Sequence, residues 1–588
     1  MIAMSHFSPL SPVPHRYSQG GPDGYLYNPD SVTPSPDGRY AVVSSDSASF
    51  IIDTQDPSPS LNKVADQGFR TAGFIAGGKF CVLECVNDTI LMLELTDEGC
   101  AHVLESPGWG LVVPQRSELP RCGFSHKGEA YLLSYDAHEN LLHRSFLRKS
   151  RYESTLWLWD QGLRPSGYIR QDGDNVNLAL LPTADTGRNS IFTHVLPNTE
   201  LGISCVPVSL HRNAGTKRLE MFIVSHNSQT HEHSLIRLCC PLKPGTGDIV
   251  EEPIMVAPRG RIMNVVLGPT HAPLAVDWWD GVTSECTVIP GSPCPKSFPL
   301  NLLTDGKPQV GDRVLHRVVG GFQMVEQVET IFDPGSVTLR HLAEGTAVRL
   351  PSPADPASDL EDYAVSDPYT FETGDGLPLS FTLASRYPQA VKYSAKKRKD
   401  AQPAVVFLPA SQMDNVLVGG YSPVLSQMLA LGFTVVLPHI RGLFQEHENG
   451  DDPVAILCDV LDTVALGVHY KTIRNCAIVA GYGIELSNVV KCVNIAGKKS
   501  HRLTSVLSMY PVIDYTRNQD GFKQLNAHTI VVPDVVSAEN KILADTMVES
   551  VPSAVRKRLD VVTVGNDYVT RAESAVSRFI ENLKKSAL

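Results

Sequence analysis

Residues 30–355 consist largely of short β-type runs, and few folds can accommodate so many of them in succession. Gly, Pro, Asp and Asn separate the runs, as is typical of strands joined by tight turns. Examples are residues 39–44, 80–84, 89–95 and 221–225. The spacing suits antiparallel four-stranded units, and about 325 residues would hold seven units of ~40 to ~50 residues. The sequence therefore predicts a seven-bladed β-propeller.

A different pattern appears later, where an apolar strand runs into a helix across a glycine-containing turn. The run 476–480 predicts a buried strand, and residues 485–496 can follow as a helix. This is the setting of a G-x-S-x-G nucleophile elbow, in which small residues permit a strained turn that exposes the serine hydroxyl. Here Gly483 stands in place of the serine, and Glu485 replaces the last glycine. Glycine has no side chain to attack a carbonyl, and no G-x-S-x-G occurs elsewhere in the chain.

Several segments around this turn resemble the prolyl oligopeptidase family, in particular its oligopeptidase B branch. Residues 369–379 resemble the hairpin that opens the family's catalytic domain, residues 435–442 its I-R-G-G-G-E-like strand, and residues 503–514 a strand ending in V-P-F-V-D. The family joins a seven-bladed propeller to an α/β-hydrolase domain with a doubly wound sheet. The Ser35-Pro36-Asp37-Gly38 turn is also common in propellers.

The resemblance implies three regions. Residues 1–29 are expected to be an N-terminal extension, residues 30–355 the propeller, and residues 356–588 an α/β-hydrolase domain that is truncated at its C terminus.

The resemblance also implies that the catalytic machinery is incomplete. Gly483 occupies the nucleophile's position and Asp567 matches the acid, whereas residues 568–588 contain no histidine to act as the base. The family's tyrosine-containing oxyanion loop is replaced by a segment with Pro409, which has no backbone N–H to donate. We therefore expect no functional catalytic residue and no cofactor. Asp567 or Thr570 would then cap the helix predicted over residues 571–585.

One stretch of histidines and cysteines contains residues that zinc prefers as ligands. His226, His231 and His233 are followed by Cys239 and Cys240, but their spacing matches no usual zinc pattern. We interpret the histidines as a polar loop between two strands and the cysteines as core residues, so no metal is expected.

Composition limits the compartment and the partners. A net charge of -12 argues against direct nucleic-acid binding, and no apolar stretch approaches the ~20 residues of a membrane span. The twelve cysteines are scattered through the chain, which fits a reducing compartment. A soluble cytoplasmic protein is expected, with a mitochondrial location as the alternative.

The sequence thus leads to one main hypothesis and two alternatives. The main hypothesis is a catalytically inactive binding or assembly platform within a larger complex, with other proteins or peptides as partners. The alternatives are a serine-type oligopeptidase or esterase with an atypical site, and a protein that binds peptides without cleaving them.

Overall fold

The computed structural model describes stretches of the chain between residues 32 and 587. The main segments outside this description are 1–31, 182–191, 197–202, 243–248, 291–312, 330–335, 351–362, 387–401, 409–422, 440–472, 481–485, 510–524, 533–541 and 563–567, and other loop segments of five residues or fewer are also omitted. The described strands form seven small sheets between Val32 and Arg349 and one nine-stranded sheet that begins at Ala364.

The seven small sheets are the blades of a β-propeller, so the predicted fold of this region is confirmed. Blades 1–5 and blade 7 have four described strands each, and blade 6 has three. The strands of every blade are consecutive in the chain. Blade by blade, the strands are β1 (Val32–Pro34), β2 (Tyr40–Ser44), β3 (Ser49–Asp53), β4 (Asn62–Ala65); β5 (Phe69–Ile75), β6 (Phe80–Cys85), β7 (Thr89–Thr96), β8 (Gly99–Pro107); β9 (Trp109–Val112), β10 (Arg121–His126), β11 (Glu129–Asp136), β12 (Leu141–Lys149); β13 (Leu156–Trp159), β14 (Pro165–Asp172), β15 (Asn175–Leu180), β16 (Phe192–Leu196); β17 (Ile203–Asn213), β18 (Arg218–Asn227), β19 (Glu232–Pro241), β20 (Val250–Val256); β21 (Arg261–Leu267), β22 (Pro273–Trp279), β23 (Ser284–Val288); and β24 (Arg313–Val319), β25 (Gln323–Glu329), β26 (Ser336–His341), β27 (Thr346–Arg349).

Tight turns fix the register of these strands. Between β10 and β11, Lys127 and Gly128 both have positive φ, 45° and 74°, as a two-residue hairpin with matching twist requires. Between β1 and β2, the Ser35 hydroxyl donates to Asp37, and the Gly38 N–H donates to the Ser35 carbonyl at 2.9 Å. These local bonds explain why the hairpins can be predicted from short sequence runs.

Apolar side chains fill the spaces between neighbouring blades. Blade 7 packs against blade 1 through Val325 and Leu339 on one side and Val32 and Ile52 on the other, all fully buried. Because the strands of each blade are consecutive, side-chain packing closes the ring, and among the described strands none is shared between the first and last blades.

Polar side chains also join the blades. Asp160, which follows β13 of blade 4, is only 2% exposed, and its Oδ2 accepts hydrogen bonds from Arg212 Nε of blade 5 at 3.0 Å and Ser166 Oγ at 2.9 Å. Its Oδ1 accepts from the backbone N–H groups of Gly162 and Arg164 at 2.9 and 3.1 Å. One carboxylate therefore fixes both a turn and the contact between two blades.

The nine-stranded sheet is the centre of an α/β domain. Its order is β28-β30-β32-β31-β33-β34-β35-β36, with β29 beside β30, and the strands from β31 to β36 are parallel. The strands are β28 (Ala364–Val365), β29 (Tyr369–Glu372), β30 (Pro378–Ser385), β31 (Gln402–Leu408), β32 (Thr434–His439), β33 (Ile473–Ala480), β34 (Leu503–Met509), β35 (His528–Val532) and β36 (Leu559–Val561). The described helices with continuous bounds are Pro423–Ala430, Leu486–Lys498, Ser553–Arg556 and Tyr568–Ala587, and Ala76–Gly78 forms a 3₁₀ turn in the propeller.

Helices pack on this sheet through apolar stripes. Phe579 of the helix Tyr568–Ala587 is fully buried, as is Val493 of the helix Leu486–Lys498. The helices predicted over residues 485–496 and 571–585 correspond to these two elements. The helical spacing of apolar residues such as Ile456, Val460 and Val464 predicts a further helix over residues 452–470, which lie outside the described residues.

Candidate functional site

The order of the parallel strands places a switch point between β31 and β33. From β31 the chain moves to β32 on one side, then crosses to β33 on the other side and continues outward through β34, β35 and β36. Leu408 and Ala480, the last residues of β31 and β33, are register partners, so the two strands end side by side. Ligands of open α/β sheets bind in the crevice at such a point, beyond the carboxyl ends of the strands.

The strand and helix on either side of the predicted elbow are both present. Ala480, at the end of β33, is fully buried, and so is Leu486, which begins the helix Leu486–Lys498. Gly483 falls in the five-residue connection 481–485, which lies outside the described residues. The loop after β31, which begins with Pro409, is also outside them. The described elements thus bring the connections that contain Gly483 and Pro409 to the same edge of the sheet.

Asp567 follows the last strand of the sheet. It lies between β36 and the helix Tyr568–Ala587, in a segment outside the described residues. Because β34 and β35 separate β36 from β33, the two strands are about 14–15 Å apart at the usual strand spacing.

Sequence reasoning overlooked another carboxylate, Asp534. It comes two residues after the end of β35, a strand nearer to β33 than β36 is, and it too lies outside the described residues. The apolar run 529–532 followed by Pro533-Asp534 was the available signal.

The described histidine that follows β33 lies at the opposite edge of the sheet. Residues 481–588 contain two: His501 precedes β34 in the chain, and His528 is the first residue of β35. His528 Nε2 lies 2.9 Å from Asp560 Oδ2, and Arg578 approaches the same oxygen at 3.6 Å. This imidazole–carboxylate pair is at the amino end of a parallel strand, whereas Gly483 follows a carboxyl end. It is therefore not placed to serve a nucleophile at the switch point.

Another histidine, which sequence reasoning also missed, marks the carboxyl edge. His439 is the last residue of β32 and lies two strands from β33, about 10 Å at the usual spacing. Only its position in the strand could have suggested it, because it matches no residue of the family's triad.

The histidine and cysteine stretch considered for zinc belongs to two paired strands. His226 and His233 are register partners in β18 and β19, so the prediction that these two lie in a loop is wrong, because the strands extend further than their polar residues suggested. His231 lies outside the described residues. Cys239 and Cys240 are buried core residues, in agreement with their interpretation. Two groups of described residues come close enough to share a metal, namely Asp136, Glu139 and His143 on the surface of blade 3, and Asp277, Cys286 and His316 between blades 6 and 7.

Comparisons with known proteins reveal similarity in fold at low sequence identity. No family model and no curated protein sequence matches the chain. Among solved structures, an acylaminoacyl peptidase from Pyrococcus horikoshii is 10% identical with a TM-score of 0.59, and 97% of each chain is covered. A puromycin-hydrolyzing peptidase from Mycobacterium tuberculosis is 12% identical with a TM-score of 0.60, covering 98% of this chain and 96% of the other. Prolyl oligopeptidase B from Galerina marginata is 11% identical with a TM-score of 0.56, covering 96% and 89%.

These similarities extend over both parts of the molecule. The fold of the chain is a seven-bladed β-propeller joined to an α/β-hydrolase domain, which is the architecture of prolyl oligopeptidase-type structures. None of the helices in the described part of the chain is long and apolar enough to cross a membrane.

Proposed function

We propose that this chain is a prolyl oligopeptidase-like pseudoenzyme that serves as a non-catalytic binding or assembly platform within a larger complex. One observation carries the proposal: the connection between β33 and the helix Leu486–Lys498, which would hold a catalytic serine, has Gly483 in that place. Hydrolysis by this type of site needs a nucleophile and an imidazole within hydrogen-bond reach of it. Glycine cannot be the nucleophile.

The surroundings of the switch point support the same proposal. The backbone N–H that would stabilise an oxyanion is lost at Pro409, the first residue after β31. Asp567 directly precedes the helix Tyr568–Ala587, a position in which a carboxylate stabilises free N–H groups of the first turn. A capping role accounts for Asp567 without any catalytic partner.

The propeller offers a surface suited to protein partners. The outer strand of blade 3, β12, exposes three apolar side chains, Leu141 at 53%, Phe146 at 55% and Leu147 at 36%. Exposed apolar groups on an outer strand favour contact with another protein over permanent exposure to water. The contact would not require any change in the blade, because β12 already pairs with β11 from Leu141 to Lys149, with one bulge at Leu147.

The first experiment tests for catalysis. Purified full-length protein is treated with a fluorophosphonate probe and with peptides that contain proline or paired basic residues, next to an active prolyl oligopeptidase as positive control. We expect neither labelling nor turnover, and we expect Gly483→Ser to remain inactive because the imidazole is still missing. Labelling of the wild-type chain, or turnover that Asp567→Ala or His439→Ala abolishes, would instead establish an enzyme with an atypical site.

The second experiment tests for a platform. Tagged full-length protein is isolated under native conditions, and the stoichiometry of the assembly is measured by native mass spectrometry. We expect a defined complex that Phe146→Ser weakens, while the matched control Val250→Ser, on the outer strand of blade 5 and 45% exposed, does not. Recovery of the chain alone would contradict the platform. Saturable binding of proline- or arginine-containing peptides to that isolated chain would favour peptide binding without cleavage.

A further inference from the structure

Three potential metal ligands meet between blades 6 and 7. Asp277 in β22 and Cys286 in β23 are cross-strand register partners within blade 6. His316 reaches them from β24, the first strand of blade 7. We propose that Asp277, Cys286 and His316 bind one divalent transition-metal ion, with Zn²⁺ as the expected ion, and that this ion joins the two blades.

The distances between the ligand atoms suit a shared ion after small movements of the side chains. One carboxylate oxygen of Asp277, the Cys286 Sγ and a ring nitrogen of His316 all lie within 4.8 Å of one another. Tetrahedral zinc, with ligands at ~2.0 to ~2.3 Å, separates its ligand atoms by roughly 3.3–3.8 Å. Asp277 Oδ1 and His316 Nδ1 are 2.8 Å apart and would separate slightly to admit the ion.

Neighbouring groups already fix the orientation of the carboxylate. Asp277 Oδ2 accepts hydrogen bonds from the His316 backbone N–H at 2.8 Å and from Asn264 Nδ2 at 2.9 Å. Asn264 Nδ2 also donates to the His316 carbonyl at 2.5 Å. Because these two donors use Oδ2, the ion would bind Oδ1, in place of the hydrogen bond that Oδ1 now makes with His316 Nδ1. Partners of this kind hold the ligands of metal sites in place.

The charges and donor types favour zinc. The cluster is buried, with Asp277 1% and His316 5% exposed, and an isolated charge there would be costly. One Zn²⁺ with a carboxylate, a thiolate and a neutral imidazole has no net charge. A mixed set of sulfur, nitrogen and oxygen ligands suits zinc, whereas Mg²⁺ and Ca²⁺ select oxygen alone.

Without a metal, the same groups form a hydrogen-bonded contact between blades, but that contact does not need a cysteine. On binding, the S–H bond breaks and its proton passes to the buffer. Bonds form from the metal to Sγ, Oδ1 and Nδ1. The Nδ1–H bond that donates to Oδ1 before binding also breaks, and its proton passes to the buffer. The neutral imidazole then carries its single proton on Nε2, taken up from the buffer where that nitrogen had none. Three protein ligands leave a fourth position for water.

Metal binding is tested on the full-length chain after treatment with a chelator. Competition with a chromophoric zinc chelator should reveal one tight site per chain. Cys286→Ser should weaken it at least about tenfold. The matched control is Cys100→Ser, since Cys100 is also a free and partly buried blade cysteine. It should bind zinc as the wild type does, and Asp277→Asn should weaken binding as Cys286→Ser does.

Cobalt gives a second measurement that does not depend on any variant. Co²⁺ bound to the wild-type chain should show a thiolate-to-cobalt charge-transfer band in the near ultraviolet, and bound zinc should protect Cys286 from alkylation in peptide mapping. A wild-type chain that binds no stoichiometric zinc, or binds cobalt without the thiolate band, would overturn the proposal. Zinc binding that is equally strong in folded Cys286→Ser would overturn it as well.

Discussion

Replacing Asp160 with alanine tests whether one buried carboxylate holds blades 4 and 5 together. The substitution removes the acceptor of four hydrogen bonds, two from the backbone N–H groups of Gly162 and Arg164 and two from Ser166 Oγ and Arg212 Nε. It also leaves the guanidinium of Arg212, whose side chain is 22% exposed, without this counter-charge.

The size of the effect follows from the burial of both partners. Removing one partner of a buried ion pair costs about 3–5 kcal/mol, and the partial exposure of Arg212 places the expected loss near 3–4 kcal/mol. For about 320 residues of propeller, the entropy of unfolding is roughly 0.7 kcal/mol per kelvin, so the melting temperature of the propeller should fall by about 4–6 °C. Adding Arg212→Met should recover part of the loss, because it removes the charge that lost its partner.

Thermal unfolding monitored by calorimetry provides the measurement, with Asp136→Ala as the matched control. Asp136 also accepts hydrogen bonds from two backbone N–H groups, those of His138 and Glu139, but it does so in an exposed turn. Its replacement should lower the melting temperature by less than about 2 °C. If Asp160→Ala shifts the transition no more than this control does, the carboxylate does not hold the two blades together.

Three further substitutions test other parts of the fold. Gly38→Ala should destabilise the propeller by about 1–3 kcal/mol, because Gly38 has φ +71° and its added Cβ would lie 1.8 Å from the His341 ring. The control is Gly345→Ala: Gly345 has φ +69°, but no atom lies within 4 Å of the added Cβ, so the loss of stability in the same melting experiment should be smaller. Phe579→Ala should cost about 3–5 kcal/mol in urea unfolding followed by circular dichroism, since it empties a fully buried site under the sheet, and a smaller loss would mean that the helix is loosely packed. Burial raises the pKa of Glu84, so the folded state binds its proton more tightly than the unfolded state does, and the contribution of Glu84 to stability falls as pH rises above the ordinary pKa of glutamate. Glu84→Gln should flatten that decline when melting temperatures are measured over a series of pH values. An unchanged dependence of the melting temperature on pH would contradict this prediction.

Local features of the fold could be predicted because short-range chemistry determines them. The turn at Ser35 is fixed by bonds among residues 35–40, and the alternation of apolar residues sets which face of each strand is buried. The helix around Phe579 has a clear apolar stripe for the same reason. Such signals lie within a few residues of one another, so a single sequence contains them.

Contacts between blades could not be predicted in this way. Asp160 and Arg212 are 52 residues apart in the chain, and Asp277 and His316 are 39 apart. No spacing rule links either pair, because each depends on how blades are arranged around the ring. The candidate site shows the same division. The strand and helix around Gly483 follow from periodicity, whereas the distance from β33 to β36, the strand that precedes Asp567 in the chain, depends on sheet order.

The way the propeller closes has a mechanical consequence. Blade 7 meets blade 1 through apolar contacts such as Val325 against Ile52, and in the described residues no strand pairing crosses this junction. Arg349, at the end of blade 7, is also where the chain leaves toward the α/β sheet that starts at Ala364. The connection to the α/β sheet is therefore attached to β27, the outer strand of a blade that lies at this junction. Parting the ring at the junction would separate apolar surfaces and would leave every described strand ladder of the two blades intact.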